Sequence, residues 1–295
     1  MSKTGSAAKV KLNSFDDLFG TEQPQTGTEQ VQEIALSELH EFKGHPFKVL
    51  DDEKMQETME SIREHGVLMP GIARPMKDGG YEIIAGHRRR HACEFVGLTT
   101  MPMFIRDYTD DEATIIMVDS NIQREDILPS EKAKAYFMKY EAVKHQGKKG
   151  KGNSLDEVGE TAGESAKTVQ RYIYLARLSD ALLDMVDKKK IGIVQGVELS
   201  FLTEQQQEWV QVVLEETGVI ISTAQASKLK EHGKSDELTL PMVRLILTES
   251  KPIERKVTIK ADKISRYFPE YYSNEQIEKV IYQLLDKWNS SNSEK

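Results

Sequence analysis

Apolar residues recur at helical spacing in the first part of the chain that has a regular pattern. Met55, Met59 and Ile62 are three or four positions apart, which places them on one face of a helix. The acidic run at 51–53 is a typical helix start, and Gly66 is a typical helix end. We therefore expect a helix between these two signals.

A short strand and a second helix are predicted next. Tyr81-Glu82-Ile83-Ile84 has the composition of a strand, and Gly86 follows it. A helix is expected from about His87 to Val96, where Gly97 ends it. The pattern predicts a strand, loop and helix unit.

Further helices are expected along the rest of the chain. One runs from about Asp110 to Asn121, and another follows Leu128-Pro129, with Ser130 as its N-cap. Residues 147–153 are rich in glycine and lysine, which predicts an exposed loop near a domain boundary.

The whole pattern predicts an α+β fold in four parts. These are a disordered tail (1–32), a mixed N-terminal domain (33–128), an all-helical domain (129–232), and a linker with a small C-terminal segment (233–295). Val257-Thr258-Ile259 is a candidate strand in the last part. The helix after it either forms a dimer interface or folds back on that strand through Ile277, Val280, Ile281, Leu284 and Leu285.

Composition narrows the function classes. The chain has 295 residues with a net charge of −8 and a pI near 5.5, which argues against nucleic-acid binding by bulk attraction. Residues 130–190 are nevertheless locally basic. No apolar run is long enough to span a membrane and no secretory signal is visible, so we expect a cytoplasmic protein without a membrane partner. Cys93 is the only cysteine, which excludes a disulfide framework and predicts a small buried hydrophobe.

An arginine cluster follows the predicted strand. Arg88, Arg89 and Arg90 fall in the first helical turn, where the helix dipole already disfavours positive charge. A bound polyphosphate would resolve this conflict, because free backbone N–H groups and guanidinium groups would face it together. The alternative is that the arginines pair with the acidic segment 51–60 or face water.

A second polar cluster lies at the end of the helix that finishes near Asn121. Arg124 is three positions further on, so both side chains can face one ligand. The Asn121 carbonyl is a fair ligand for a hard cation, and Glu125 can orient an arginine. The alternative is a helix-end salt bridge.

Residues 154–175 have the pattern of a helix-turn-helix. A short helix at 154–161 and a turn at 162–164 precede Ser165, a favourable N-cap, and Val169, Ile173 and Leu175 point inward. The outward residues suit base and phosphate contacts in a DNA major groove: Ser165, Lys167, Thr168, Gln170, Arg171 and Tyr172. Lys148, Lys149 and Lys151 are candidates for sequence-independent phosphate contacts. The alternative is an ordinary helical hairpin.

Together these motifs resemble the ParB partition family over about residues 34–230. The resemblance rests on five sequence features: His45-Pro46-Phe47, the helix ending at Gly66 with Pro70 beyond it, the box from Tyr81 to Cys93, Asn121-Ile122-Gln123-Arg124-Glu125, and Pro129-Ser130-Glu131. It implies an N-terminal ParB/sulfiredoxin-like nucleotide domain before the helix-turn-helix domain. It also implies CTP and Mg²⁺ as cofactors, and a homodimer that closes into a sliding clamp on double-stranded DNA.

The resemblance also implies roles for single residues. Gly86, Arg88 and Arg89 would hold phosphates, Asn121 would approach the metal, and Arg124 with Glu125 would complete the pocket. Leu68-Met69-Pro70 would contact the base. His87 and Ser120 depart from the family, which usually has glutamate at both places. Serine cannot act as a carboxylate base, so we expect CTP hydrolysis to be slow or absent.

Partners and alternatives follow from the same resemblance. Lys3, Lys9 and Lys11 loosely match a tail that stimulates a ParA-type ATPase, and the alternative is a terminus without a role. The predicted function is partition of a chromosome, plasmid or mobile element by a nucleoid-associated protein. The alternative is a ParB-like transcriptional regulator or nucleoid-occlusion factor without a partner ATPase. A sulfiredoxin-like reductase is disfavoured, because Ala85 stands where that chemistry needs a cysteine.

Overall fold

The computed structural model describes residues 31–124, 126–146, 154–235, 237–249, 261–269 and 271–292. Their contacts divide the chain into two units, one ending at Thr248 and the other beginning at Glu249. Across the described residues, no helix is both long and apolar enough to span a membrane.

The first unit contains a mixed five-stranded sheet. Its strands are β1 (Val31–Ala35), β2 (Leu39–His40), β3 (Gly71–Pro75), β4 (Tyr81–Ala85) and β5 (Thr100–Ile105). They lie in the order β1-β5-β3-β4-β2, with β1–β5 and β3–β4 antiparallel and β3–β5 and β2–β4 parallel. Since β1 begins at Val31, residues 31 and 32, which the prediction assigned to the tail, belong to a strand.

Three helices complete the N-terminal part. They are α1 (Glu53–His65), α2 (His87–Val96) and α3 (Asp110–Asn121), and the sequence predicts the bounds of the last two. Asp52 caps α1, because its side chain accepts from the backbone N–H of Met55 at 2.8 Å. Cys93 is fully buried, as predicted.

The rest of the unit is helical. Its helices are α4 (Pro129–His145), α5 (Ser154–Glu160), α6 (Ala166–Leu175), α7 (Asp180–Asp187), α8 (Ile193–Leu199), α9 (Glu204–Thr217), α10 (Thr223–Lys234) and α11 (Leu240–Thr248). One hydrophobic core is shared by α3, α4, α5 and α6, so the mixed and helical parts pack directly on each other.

Two details of the helical part differ from prediction. Ser130 lies inside α4, whose N-cap is Leu128, and the Ser130 hydroxyl donates to Asp187 at 2.5 Å. The predicted boundary at 232 falls inside α10. The unit continues to Thr248, because α11 buries Val243, Ile246 and Leu247 in the same core as α9 and α10.

In the second unit, α12 (Ala261–Ile264) and a 3₁₀ turn (Ser265–Tyr267) precede α13 (Asn274–Asn292). Helix α13 includes the predicted apolar positions, and Leu284 and Leu285 are exposed. The candidate strand Val257-Thr258-Ile259 lies outside the described residues.

Candidate functional site

A cavity of about 340 Å³ opens where β3, β4, α2 and the end of α3 meet. This volume is within the usual range for small-molecule sites. The cavity is lined by His45, Phe47, Lys48, Val49, Pro70, Ile72, Ala85, Gly86, His87, Arg88, Arg89, Asp119, Ser120, Asn121, Gln123 and Arg124.

Two glycines allow the backbone to approach closely at the floor of the cavity. Gly86 is the N-cap of α2 and has a φ of +114°, which strongly favours glycine. A Cβ at Gly86 would lie 3.2 Å from the Cα of Gly71, and one at Gly71 would lie 2.5 Å from the sulfur of Met103. The free N–H groups at the start of α2 therefore lie at the cavity, as an anion site requires.

The three consecutive arginines have different surroundings. Arg88 pairs with Asp52 at 2.7 Å, and this hydrogen bond holds the pKa of the Asp52 carboxyl below its usual value. Arg89 donates to the carbonyl of Pro70 at 2.8 Å and also to that of Met69, and burial lowers its pKa. Arg90 pairs with Glu94 and does not line the cavity. The acidic-segment alternative therefore holds for Arg88, although Arg88 and Arg89 both line the cavity.

Two histidine rings lie against each other beside the arginines, tilted by 37°. The ring centroids of His45 and His87 are 3.9 Å apart, and both Nε2 atoms are buried without a hydrogen-bond partner. Nδ1 of His45 lies 2.7 Å from the carbonyl oxygen of Phe47, so it donates and leaves Nε2 as an acceptor. Burial lowers the pKa of His45, and it lowers the pKa of His87 to about 3, helped by His45 and Arg90. Both rings are therefore neutral at pH 7.

The end of α3 supplies the other wall. The amide nitrogen of Asn121 donates to the carbonyl of Met117 at 2.9 Å, which leaves its oxygen as the atom that a hard cation would coordinate. The Ser120 hydroxyl donates to the same carbonyl at 3.0 Å. Arg124 lies beyond the end of α3. Both members of the predicted Asn121–Arg124 pair line the cavity.

The structure places the predicted nucleotide residues as follows. The cavity contains Pro70, Gly86, His87, Arg88, Arg89, Asn121 and Arg124, whereas Glu125 lies outside the described residues. Leu68 and Met69 do not line it: their side chains are exposed, and Met69 reaches Arg89 through its backbone carbonyl.

Sequence reasoning missed several lining residues, among them Lys48, Asp119 and Gln123. His45 and Phe47 had a sequence signal, because they belong to the His45-Pro46-Phe47 motif of the family resemblance, to which the sequence assigned no role.

The second predicted site has the geometry of a helix-turn-helix. A Cβ at Gly159 would lie 2.3 Å from the carbonyl oxygen of Glu164, so only glycine permits this crossing of α5 and α6. Gly163 has a φ of +65° in the turn, and the Ser165 hydroxyl accepts from the N–H of Thr168 at 3.3 Å.

Most of the predicted DNA-contacting residues lie on the accessible side of α6. Ser165, Lys167 and Arg171 are exposed, and Thr168 and Gln170 are half-buried. Tyr172 is different, because it packs against both neighbouring cores, with its ring centroid 5.9 Å from that of Tyr136. Tyr172 is nevertheless half-buried, like Thr168 and Gln170, so its contact with DNA stays a prediction. Lys148, Lys149 and Lys151 lie outside the described residues.

Comparisons with known proteins decide the family. Residues 20–122 match the model of the ParB N-terminal domain. The chain is 30% identical over 267 residues to the probable chromosome 1-partitioning protein ParB of Deinococcus radiodurans, covering 88% of this chain and 89% of that protein. The chain belongs to the ParB family.

Other ParB relatives extend the comparison. The chromosome-partitioning protein Spo0J of Thermus thermophilus is 29% identical, covering 88% of this chain and 93% of that protein. The nucleoid occlusion protein of Listeria monocytogenes is 26% identical, covering 85% of this chain and 78% of that protein. A structure of truncated Caulobacter crescentus ParB with the centromeric parS site is 21% identical, with a TM-score of 0.39, and covers 68% of this chain and 98% of that chain.

Proposed function

We propose that this protein is a sequence-specific DNA-binding partition protein that binds CTP with Mg²⁺ and forms a sliding clamp on DNA. The observation that carries the proposal is the convergence of the α2 N-terminus, Arg88, Arg89 and the Asn121–Arg124 pair on one cavity. The helix-turn-helix lies in the same unit. The relatives' names as partitioning proteins support the biological role.

The cavity residues fit a nucleoside triphosphate. Gly86, Arg88 and Arg89 offer backbone N–H and guanidinium donors for phosphate oxygens, and Arg124 adds positive charge. Asn121 offers one oxygen for Mg²⁺, whose other ligands would be phosphates and water. Ser120 lacks a carboxylate, so hydrolysis is expected to be slow or absent.

Calorimetric titration with CTP, ATP, GTP and UTP in the presence of magnesium tests the nucleotide proposal. We expect selective CTP binding, and a loss of affinity of about 100-fold in Arg89→Ala, because charged hydrogen bonds in a confined site are lost. Arg90→Ala is the matched control, since the neighbouring arginine pairs with Glu94 outside the cavity. Equal effects of the two variants, or no binding by the parent protein, would contradict the proposal.

DNA binding is proposed through α6, with Gln170 and Arg171 as base or phosphate contacts and Lys167 as a phosphate contact. Selection of duplexes from a random library, followed by mapping of the selected motif in the genome, tests this function. A cluster of sites beside a partition operon supports segregation in the nucleoid.

The similarity to a nucleoid occlusion protein favours a second candidate, a clamp that acts in occlusion or regulation without a ParA-type ATPase. Sites dispersed over the chromosome or at promoters would support that function. The lysines proposed for a ParA contact lie outside the described residues, so a pull-down with the cognate ATPase is the direct test.

A homodimer is proposed through α13. Leu284, Leu285 and Trp288 are each more than half exposed on this helix, and a second copy could cover them. Sedimentation of the full chain should give a dimer, and Leu284→Asp should shift it towards a monomer.

A further inference from the structure

A buried lysine connects the cavity wall to the helix-turn-helix. Lys139, on α4, is 3% exposed. Its Nζ lies 2.6 Å from Oδ1 of Asp119, 3.3 Å from the carbonyl oxygen of Val158 and 3.3 Å from Oγ1 of Thr161. An ammonium group has three donors, and each one has an acceptor here.

The three acceptors belong to different elements. Asp119 lies in the last turn of α3 and lines the cavity. Val158 lies on α5, and Thr161 is in the turn that leads to the recognition helix α6. Lys139 therefore holds one wall of the cavity and the first half of the helix-turn-helix together.

A second hydrogen bond makes the same connection directly. The Gln123 side chain, which lines the cavity, donates from Nε2 to the carbonyl oxygen of Thr161 at 2.9 Å. The end of α3 thus contacts Thr161 by two routes, one through Lys139 and one through Gln123.

The physical consequence follows from the burial of the charge. An ammonium group that loses its partners in the interior is strongly unfavourable, so Lys139 resists separation from Asp119. If a ligand in the cavity moves the last turn of α3, Lys139 must either follow or lose an acceptor. Either response changes the position or the freedom of the segment 158–161.

We propose that Lys139 and Thr161 are positioning residues that couple occupation of the cavity to the helix-turn-helix. Ligand and DNA then change each other's affinity by the same factor, as linkage requires. This inference rests on the proposed nucleotide binding. The coupling is assigned to the contact of Lys139 with Asp119 and Thr161. Asp119 lines the cavity, but none of the three is among the residues proposed to bind nucleotide or DNA.

The test measures the coupling factor in the full-length protein. This factor is the ratio of one ligand's dissociation constants without and with the other ligand. The dissociation constant of a duplex selected from a random library is measured by anisotropy with and without CTP and Mg²⁺. The CTP constant is measured by calorimetry with and without that duplex. For the parent protein we expect a change of at least about fivefold in both titrations.

Thr161→Val removes the hydroxyl acceptor at nearly constant volume, and Thr161→Ser is the matched control that keeps it. We expect the factor to fall below about twofold in Thr161→Val and to remain at the parent value in Thr161→Ser. The separate affinities for CTP and for DNA should change little, since Thr161 is in neither site. A purely structural role would lower the melting temperature of Thr161→Val while leaving the factor unchanged.

Lys139→Met removes all three hydrogen bonds, so we expect it to lower the coupling factor more than Thr161→Val does. Thr161→Val keeps the test decisive if Lys139→Met does not fold. An unchanged factor in Thr161→Val, or a parent protein that binds both ligands without coupling, would overturn the inference while the proposed function stands. A parent protein that binds no CTP, either alone or with that duplex, would overturn the proposed function, and this inference with it.

Discussion

The cavity and helix α6 both present positive charge, but they hold it differently. Arg89 is tied to the Pro70 carbonyl and Arg88 to Asp52, so both guanidinium groups are fixed before a ligand arrives. Lys167 and Arg171 are exposed on α6 and keep their rotamer freedom. Fixed groups suit a small ligand of constant shape, because little ordering entropy is lost on binding. Mobile groups suit a DNA surface whose local shape varies.

The largest expected effect concerns Gly159, on which the packing of α5 against α6 depends. Gly159→Ala places a methyl group against the Glu164 carbonyl, so the crossing of α5 and α6 must open. We expect a loss of about 3 kcal/mol in the free energy of unfolding, measured with urea. Gly163→Ala is the control, because no atom lies within 4 Å of its added Cβ and only the positive φ opposes it. Equal losses of unfolding free energy at both positions would show that the close contact of Gly159 with Glu164 does not limit the packing of α5 against α6.

The next effect tests whether the mobile charges on α6 contact DNA. Lys167→Ala and Arg171→Ala should each lower DNA affinity about tenfold, and each lost phosphate contact should reduce the salt slope by about 1. Lys188→Ala, at the exposed lysine that caps the C-terminus of α7, is the control. If Lys188→Ala weakens DNA binding as much as the α6 variants, recognition does not reside on α6.

A smaller expected effect concerns the two buried histidines that line the cavity. Between pH 6.5 and about 3, the unfolded chain binds a proton at His87 that the folded protein does not, so stability falls as the pH is lowered. The slope from this group reaches at most about 1.4 kcal/mol per pH unit. His87→Asn should flatten the dependence of unfolding free energy on pH in that window. His65→Asn, at an exposed histidine on α1, controls for the loss of an imidazole.

An unchanged slope in His87→Asn would mean that the ring is accessible to water in the native protein. Retention of part of the slope is expected, because burial also lowers the pKa of His45.

The smallest effect tests whether Asp52 competes with the ligand for Arg88. Asp52→Asn keeps a side chain able to cap α1 and removes the charge that pairs with Arg88. We expect nucleotide to bind about two- to fivefold more tightly, because Arg88 no longer has to release the Asp52 carboxylate before it binds a phosphate. Weaker binding would instead show that Asp52 orients Arg88 for the ligand.

Local features of this chain were predictable from sequence, whereas contacts between distant residues were not. Gly86 and Gly97 marked the bounds of α2, and the spacing of Asn121 and Arg124 placed both at one cavity. The pairing of Arg88 with Asp52 joins residues 36 positions apart, and the sequence indicated only the acidic segment 51–60 as an alternative partner, not which residue of it pairs. The contact of the His45 ring with the His87 ring and the burial of Lys139, whose acceptors come from two helices and a turn, likewise carry no local signal.

The domain limits show the same principle. The polar residues near 232 look like a linker, but α10 continues through them because its apolar face packs on α8 and α11. The base contacts of Leu68 and Met69, which the family resemblance implies, stay a prediction. Arg89 holds their loop through the Met69 and Pro70 carbonyl groups, and the two side chains face solvent.

The burial of Cys93 makes the chain convenient for site-directed crosslinking and labelling. The chain has one thiol, which is fully buried, and burial raises its pKa. The thiolate is the reactive form, so maleimides and bismaleimides should modify an introduced surface cysteine far faster than the native residue. A single substitution on α13 or beside the cavity therefore supplies a unique attachment point without the need for a cysteine-free parent.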